Sequence, residues 1–150
     1  MKTLENNIII TDQNVSVKVI NLAIFGHGLV GGTLINQILE SQTNIEIRKG
    51  IKLNIFAIAN SKKIFLNANG ITNNWLTDID NLQNGYEIND LIEFAKKHKL
   101  NNLIAVDNTA SSTFINQYQN LIQGHFHLIS SNKIANTISF DFYQKLRQTL

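Results

Sequence analysis

The stretch Ala23–Leu34, "AIFGHGLVGGTL", places Gly26, Gly28, Gly31 and Gly32 between an apolar run and an amphipathic segment. The chain holds 8 glycines in 150 residues and no proline, so half of its glycine sits in this one turn. On the N-terminal side, Val17–Phe25, "VKVINLAIF", is β-branched and almost continuously apolar, as expected of a parallel strand covered on both faces. On the C-terminal side, Val30, Leu34 and Ile38 form one stripe with Ile35 and Leu39 beside it, which predicts a helix over about Leu29–Glu40. Strand, glycine turn and helix in direct succession open a βαβ unit.

The pattern then repeats without the glycines. After the polar "SQTNIEIRKG", a second strand is expected in "IKLNIFAIAN" (51–60), followed by "SKKIFL" as a short strand or a turn. Residues 67–86 are rich in turn formers, with Trp75 as their expected hydrophobic anchor. Ile88, Leu91, Ile92 and Ala95 have the i, i+3, i+4, i+7 spacing of a helix over Ile88–His98. Strand "NLIAVD" (102–107), helix "STFINQYQNLIQ" (112–123), strand "HFHLIS" (125–130) and helix "ISFDFYQKLRQTL" (138–150) complete the alternation. Such alternation predicts an α/β fold: a doubly wound, mostly parallel sheet with helices on both faces and right-handed crossovers. Residues 1–16, with a short apolar run Ile8–Ile10, are read as an extension or linker, and 17–150 as one domain.

Composition narrows the function. At 43% hydrophobic, a chain of this length buries roughly 70% of its unfolded surface and supports one core. The net charge of +2 is scattered, with no basic stripe, so neither nucleic acid nor an anionic membrane is an expected partner. The absence of cysteine excludes disulfides and thiolate chemistry, and no stretch has the length of a membrane span or a signal-peptide core, so a cytoplasmic protein is expected.

Gly26, Gly28 and Gly31 spell G-x-G-x-x-G at a strand end and a helix start, the setting in which that pattern binds a dinucleotide. The first glycine permits the tight turn, the second lets a pyrophosphate approach the backbone, and the third allows close packing of helix on strand. The competing reading is a turn that serves packing only. His27 is read as incidental. The end of the second strand decides the cofactor's sugar. Dinucleotide folds that select a 2′-hydroxyl carry a carboxylate there, whereas this chain has Ala59, Asn60, Ser61, Lys62 and Lys63. Neutral donors followed by two ammonium groups favour NADP, with NAD tolerated. The alternative takes Lys62 and Lys63 as a solvated pair.

Two further loops share that sheet edge. "VDNTASS" brings Asp107, Asn108, Thr109 and Ala110 to a strand end, while Ser111 or Ser112 is read as a cap for the next helix. "SSNKIAN" brings Asn132 and Lys133 to the same edge, where a lysine of lowered pKa beside a cationic nicotinamide takes the hydroxyl proton of an alcohol being oxidised. The competing reading of Lys133 is a surface lysine. His125 and His127 share a strand face, but without a third ligand a metal site is disfavoured.

Together, "FGHGLVGGTL", "FAIANSKKIFL", "VDNTASS" and "SSNKIANTISFDFYQKLR" resemble the nucleotide-binding domain of homoserine dehydrogenases, in particular that of bifunctional aspartokinase–homoserine dehydrogenases. The resemblance runs from about Val19 to the C-terminus and implies a Rossmann-type fold. It also implies the NAD(P)H-dependent interconversion of L-aspartate 4-semialdehyde and L-homoserine, on the way to threonine and methionine. It assigns Gly26, Gly28, Leu29 and Val30 to the pyrophosphate loop and Asn60, Ser61 and Lys62 to the adenosine ribose. Thr109 and Ala110 fall on the nicotinamide side, and Lys133 between cofactor and substrate. Family members carry a further substrate and dimerisation domain, so the resemblance implies a homo-oligomeric parent and little or no turnover by these 150 residues alone. The alternative from another class is a non-catalytic NAD(P)-sensing module that regulates a partner.

Overall fold

The computed structural model describes residues 16–132 together with 144, 147 and 148. The expected Ile8–Ile10 run, Lys133 and most of the expected helix 138–150 lie outside the described residues. Strand β1 (Lys18–Phe25) leads through the glycine turn into helix α1 (Leu29–Lys49) and strand β2 (Ile51–Ala59). Strand β3 (Ile64–Leu66), helix α2 (Trp75–Asp80) and helix α3 (Ile88–Lys97) follow. Strand β4 (Leu103–Asp107), a 3₁₀ turn (Phe114–Gln117), helix α4 (Tyr118–Gln123) and strand β5 (Phe126–Ser130) complete the described fold.

The sheet order is β3-β2-β1-β4-β5, with every pair parallel except β2 and β3. The chain winds from β1 to β2 on one side and returns to β4 on the other, so the strand order reverses beside β1, where such sheets open a ligand crevice. Ile35 of α1 and Trp75 and Ile79 of α2 pack with Ile24, Ile58 and Val106 on one face. Leu91 and Ala95 of α3 and Leu121 of α4 pack with Phe25, Phe56 and Phe126 on the other. The expected mostly parallel sheet with helices on both faces is therefore present.

Strand β2 explains how six consecutive residues, Asn54–Ala59, are all buried. Strict alternation sends neighbours to opposite faces, but the register slips between Leu22 and Ala23, leaving Phe56 as a bulge opposite β1. Phe56 and Ala57 then both join the α3 face, while Ile55 and Ile58 point to the α1 face.

Helix α1 extends nine residues beyond the expected end at Glu40. Ser41–Lys49 carries few core contacts, so periodicity fades, yet nothing in it breaks a helix. The stop comes at Gly50, in the left-handed region at φ 67°, whose amide returns to the Glu46 carbonyl at 2.9 Å after the basic residues Arg48 and Lys49. "SKKIFL" holds the short antiparallel edge strand β3, and the turn-rich region holds α2, with Trp75 buried as its anchor and its indole Nε1 donating to Asn36 Oδ1 at 3.1 Å. The expected helix from Ser112 is a 3₁₀ turn leading into α4.

Candidate functional site

Four parallel strands end in one row. Phe25 pairs with Ala59 on one side and Asp107 on the other, and Asp107 pairs with Ser130. The loops that follow, 26–28, 60–63, 108–113 and 131–132, are therefore brought to a single edge by register. Backbone bonds extend the row one step further: Gly26 N–H to the Ala59 carbonyl at 2.8 Å, Asn108 N–H to Phe25 at 2.8 Å and Ser131 N–H to Asp107 at 2.9 Å. Above this edge lies a cleft of about 1160 Å³, lined by Gly26 and Gly28, Asn60 and Ser61, and Asn108–Ser111, with Tyr86 and Phe114 among its walls. That volume accommodates a ligand of dinucleotide size.

The glycines of the first loop have separable reasons to be glycine. Gly26 adopts φ 88°, and a Cβ there would lie 3.0 Å from the Asn108 carbonyl group. At Gly31 a Cβ would lie 1.8 Å from the Gly26 carbonyl oxygen, so the helix sits on the turn at a distance only glycine allows. Gly32 is tight, 3.3 Å from the His27 carbonyl oxygen. Gly28 is different: a Cβ there would meet nothing within 4 Å, so the space beside it is open. Gly28 is also the N-cap of α1, and no side chain caps that end. The first amides of a 21-residue helix are thus left for solvent or an anion.

At the end of β2, Asn60 is spent on its own turn. Its Oδ1 accepts the amides of Lys62 at 2.8 Å and Lys63 at 2.7 Å, while Tyr86 Oη donates to its carbonyl at 3.0 Å. With Oδ1 occupied, the amide nitrogen is the group that faces His27 Nε2 at 3.2 Å, which makes Nε2 the acceptor in the neutral ring. His27 also stands edge-on to Trp75, ring centroids 5.5 Å apart. The residue read as incidental joins the glycine turn to the β2 turn. Lys63 Nζ donates to the Asp80 carbonyl at 2.8 Å, at the C-terminal end of α2, where a cation is favoured. Of the polar groups expected at the ribose end, Ser61 and Lys62 remain exposed.

At the end of β4, the Asp107 carboxylate is 1% exposed. Oδ1 accepts Thr109 N–H at 2.8 Å and Thr109 Oγ1 at 2.6 Å; Oδ2 accepts Tyr118 Oη at 2.5 Å and Asn132 Nδ2 at 3.2 Å. Tyr118 Oη also pairs with Ser130 Oγ at 2.8 Å, and Asn132 Nδ2 reaches the Ser111 carbonyl at 2.9 Å. Burial first, and then the bond to Asp107, push the Tyr118 phenol well above its ordinary value of 10.0. Because the folded value is the higher, this phenol's contribution to stability is whole below pH 10.0 and is lost as pH climbs toward the folded value. Tyr86, raised by burial, adds to the same slope. Urea melts of the wild type and Tyr118→Phe at about pH 9 and about pH 11 should therefore show a shallower alkaline decline in the variant.

Of the residues expected to bind cofactor, Gly26, Gly28, Asn60, Ser61, Thr109 and Ala110 line the cleft. Leu29 and Val30 are 89% and 61% exposed and are not among the residues that line the cleft. Gly31 faces the turn beneath it, Lys62 lies on the surface, and Asn132 is buried with its amide bound to Asp107 and Ser111. Between the two candidate caps, it is Ser111 whose Oγ receives the amides of Thr113 and Phe114. Asn108 Nδ2 is buried without a partner beside the cleft, a signal no sequence pattern announces. Among the described residues no group of three possible ligands surrounds a metal position.

Comparison with known proteins follows the same boundaries. Residues 26–150 match the family model described as homoserine dehydrogenase, NAD binding domain. A bifunctional aspartokinase/homoserine dehydrogenase of Buchnera aphidicola is 37% identical over 135 residues, covering 89% of this chain and 16% of that protein. A homoserine dehydrogenase of Schizosaccharomyces pombe is 29% identical over 130 residues, 85% of this chain and 34% of that one. The chain thus spans a minor part of the length of both relatives. A hyperthermophilic archaeal homoserine dehydrogenase, solved in complex with NADPH, shares the fold at a TM-score of 0.63 and 20% identity, covering 87% of this chain and 40% of that one. The family match begins at the first glycine of the turn and takes in every loop that lines the cleft, and on that evidence the chain belongs to the NAD-binding domain family of homoserine dehydrogenases.

Proposed function

We propose that the cleft binds NADP(H) in preference to NAD(H). In this reading the chain is the cofactor-holding part of an enzyme that interconverts L-homoserine and L-aspartate 4-semialdehyde. The observation that carries the dinucleotide reading is the open space at Gly28 beside an uncapped helix start, since packing explains the other three glycines of the turn and leaves that one without a reason among the described residues. The pyrophosphate is assigned to Gly26–Gly28 and the amides of Leu29 and Val30. Asn108, a residue of the same wall, holds a buried side-chain nitrogen without a partner among the described residues. The nicotinamide, when bound, supplies the hydride chemistry. Thr109 and Ala110 are assigned to its side of the cleft, and Lys133 to the proton of the substrate hydroxyl. Substrate contacts and self-association are assigned to a substrate and dimerisation domain acting with this one.

Cofactor choice falls to Ser61 and Lys62, because Asn60 and Lys63 are committed elsewhere. Calorimetry at low salt should give NADPH an affinity roughly 10-fold above NADH, on the scale of one charge-assisted contact. Raising salt toward about 0.5 M should shrink the ratio, and Lys62→Ala should do the same while leaving NADH unchanged. Equal affinities at low salt would count against NADP, and failure of both to bind would count against the dinucleotide reading.

A further inference from the structure

The buried Asp107 carboxylate has no direct place in the cofactor contacts above, yet it adjoins the cleft wall. A buried charge is costly, and an apolar side chain at this position would pack with less penalty. The strand ends it adjoins are already joined by the ladder, through Asp107–Ser130 pairing and the Ser131 amide. What the carboxylate adds is direction. Its four donors come from three separate places: Thr109 twice from the loop after β4, Tyr118 from α4 and Asn132 from the segment after β5. Ser130 Oγ closes the circuit by pairing with Tyr118 Oη and accepting the Asn132 amide at 2.9 Å. One end of this network holds Thr109, which lines the cleft, and the other holds the residue that precedes Lys133 in the chain.

We propose that Asp107, acting through Tyr118, Ser130 and Asn132, is a positioning residue that sets the Thr109–Ala110 wall for the nicotinamide half of the cofactor and holds it in register with the Ser131–Asn132 segment. This rests on the dinucleotide reading and deepens it. The hydrogen bonds described above join the network to neither the glycine turn nor the 60–63 turn, although Thr109 N lies close to Gly26, so its loss acts mainly on one half of the ligand.

The test compares affinities for NADPH and for adenosine 2′,5′-bisphosphate, which carries only the adenosine end, in the wild type, Tyr118→Phe, Ser130→Ala and Ser130→Thr. Tyr118→Phe keeps the ring and removes one donor from a charged acceptor. It should weaken NADPH about 5- to 10-fold, a part of what a bond to a charged acceptor contributes, with bisphosphate affinity unchanged. Ser130→Ala should move in the same direction by less, and Ser130→Thr, which keeps the hydroxyl, should restore wild-type affinity. Ser130 is exposed, so its variants carry the comparison even if Tyr118→Phe does not fold. Equal losses for both ligands would mean that the network supports the whole domain and would overturn the inference, as would unchanged NADPH affinity in the folded variants. A wild type that binds neither ligand would remove the dinucleotide reading and this inference with it.

Discussion

Replacing Gly31 with alanine should destabilise the domain by about 3 kcal/mol, the upper part of the range for forcing a methyl into a packed site. The new Cβ would lie 1.8 Å from the Gly26 carbonyl oxygen, and both groups belong to backbone that is held in place. Gly26 cannot yield easily, because its amide bonds to Ala59 and its own Cα side faces the Asn108 carbonyl. Helix α1 cannot yield either without lifting Ile35, which is fully buried against the sheet. For a chain of this size each kcal/mol shifts the melting temperature by about 2–4 °C, so a fall of roughly 10 °C is expected. Gly28→Ala provides the contrast. Its methyl meets nothing, and a poorer N-cap is offset by reduced freedom of the unfolded chain, leaving stability within about 1 kcal/mol of wild type. Thermal denaturation followed by circular dichroism separates the two, and a Gly31→Ala protein that melts with the wild type would show that the turn is not packed as described.

Both glycines are legible in the sequence spacing. The G-x-G-x-x-G spacing assigns the third glycine to helix packing, which the 1.8 Å approach of a Cβ there to the Gly26 carbonyl oxygen bears out, and the second to ligand approach, where the structure shows open space among the described residues. The row of strand ends was legible too, since alternating apolar runs and helices leave few topologies open. The extent of α1 was missed because its last three turns bury little, although Gly50 after Arg48 and Lys49 was a stop signal in plain view. At the ribose end, the sequence presents Asn60 as a ligand donor. An asparagine two and three residues before amides it can accept is also an Asx turn, and the structure shows that use. In sequence Lys63 stands as the partner of Lys62, because α2, whose last carbonyl it reaches, lies in a turn-rich segment. Of the bonds to the Asp107 carboxylate only those from Thr109 are local; Tyr118, Ser130 and Asn132 lie 11 to 25 residues away in sequence and meet only after two strands have aligned.

Gly28→Val should leave the protein folded and weaken NADPH binding by about 2–4 kcal/mol, which is roughly 30- to 1000-fold. Among the described residues nothing fills the space next to Gly28, so a branched side chain enters it without displacing core atoms. It fills the volume through which a pyrophosphate must pass to reach the uncapped amides of α1, and those amides provide both hydrogen bonds and the positive end of the helix dipole. Losing that approach removes the contact shared by every dinucleotide, so NADH should suffer by the same factor as NADPH, unlike Lys62→Ala, which alters only their ratio. Adenosine without phosphates, already weak, should lose little further. Gly28→Ala should fall between wild type and valine, since one methyl obstructs less than an isopropyl group. A folded Gly28→Val protein with wild-type affinity would mean that the phosphates sit elsewhere, and that the open space at this turn has some other cause.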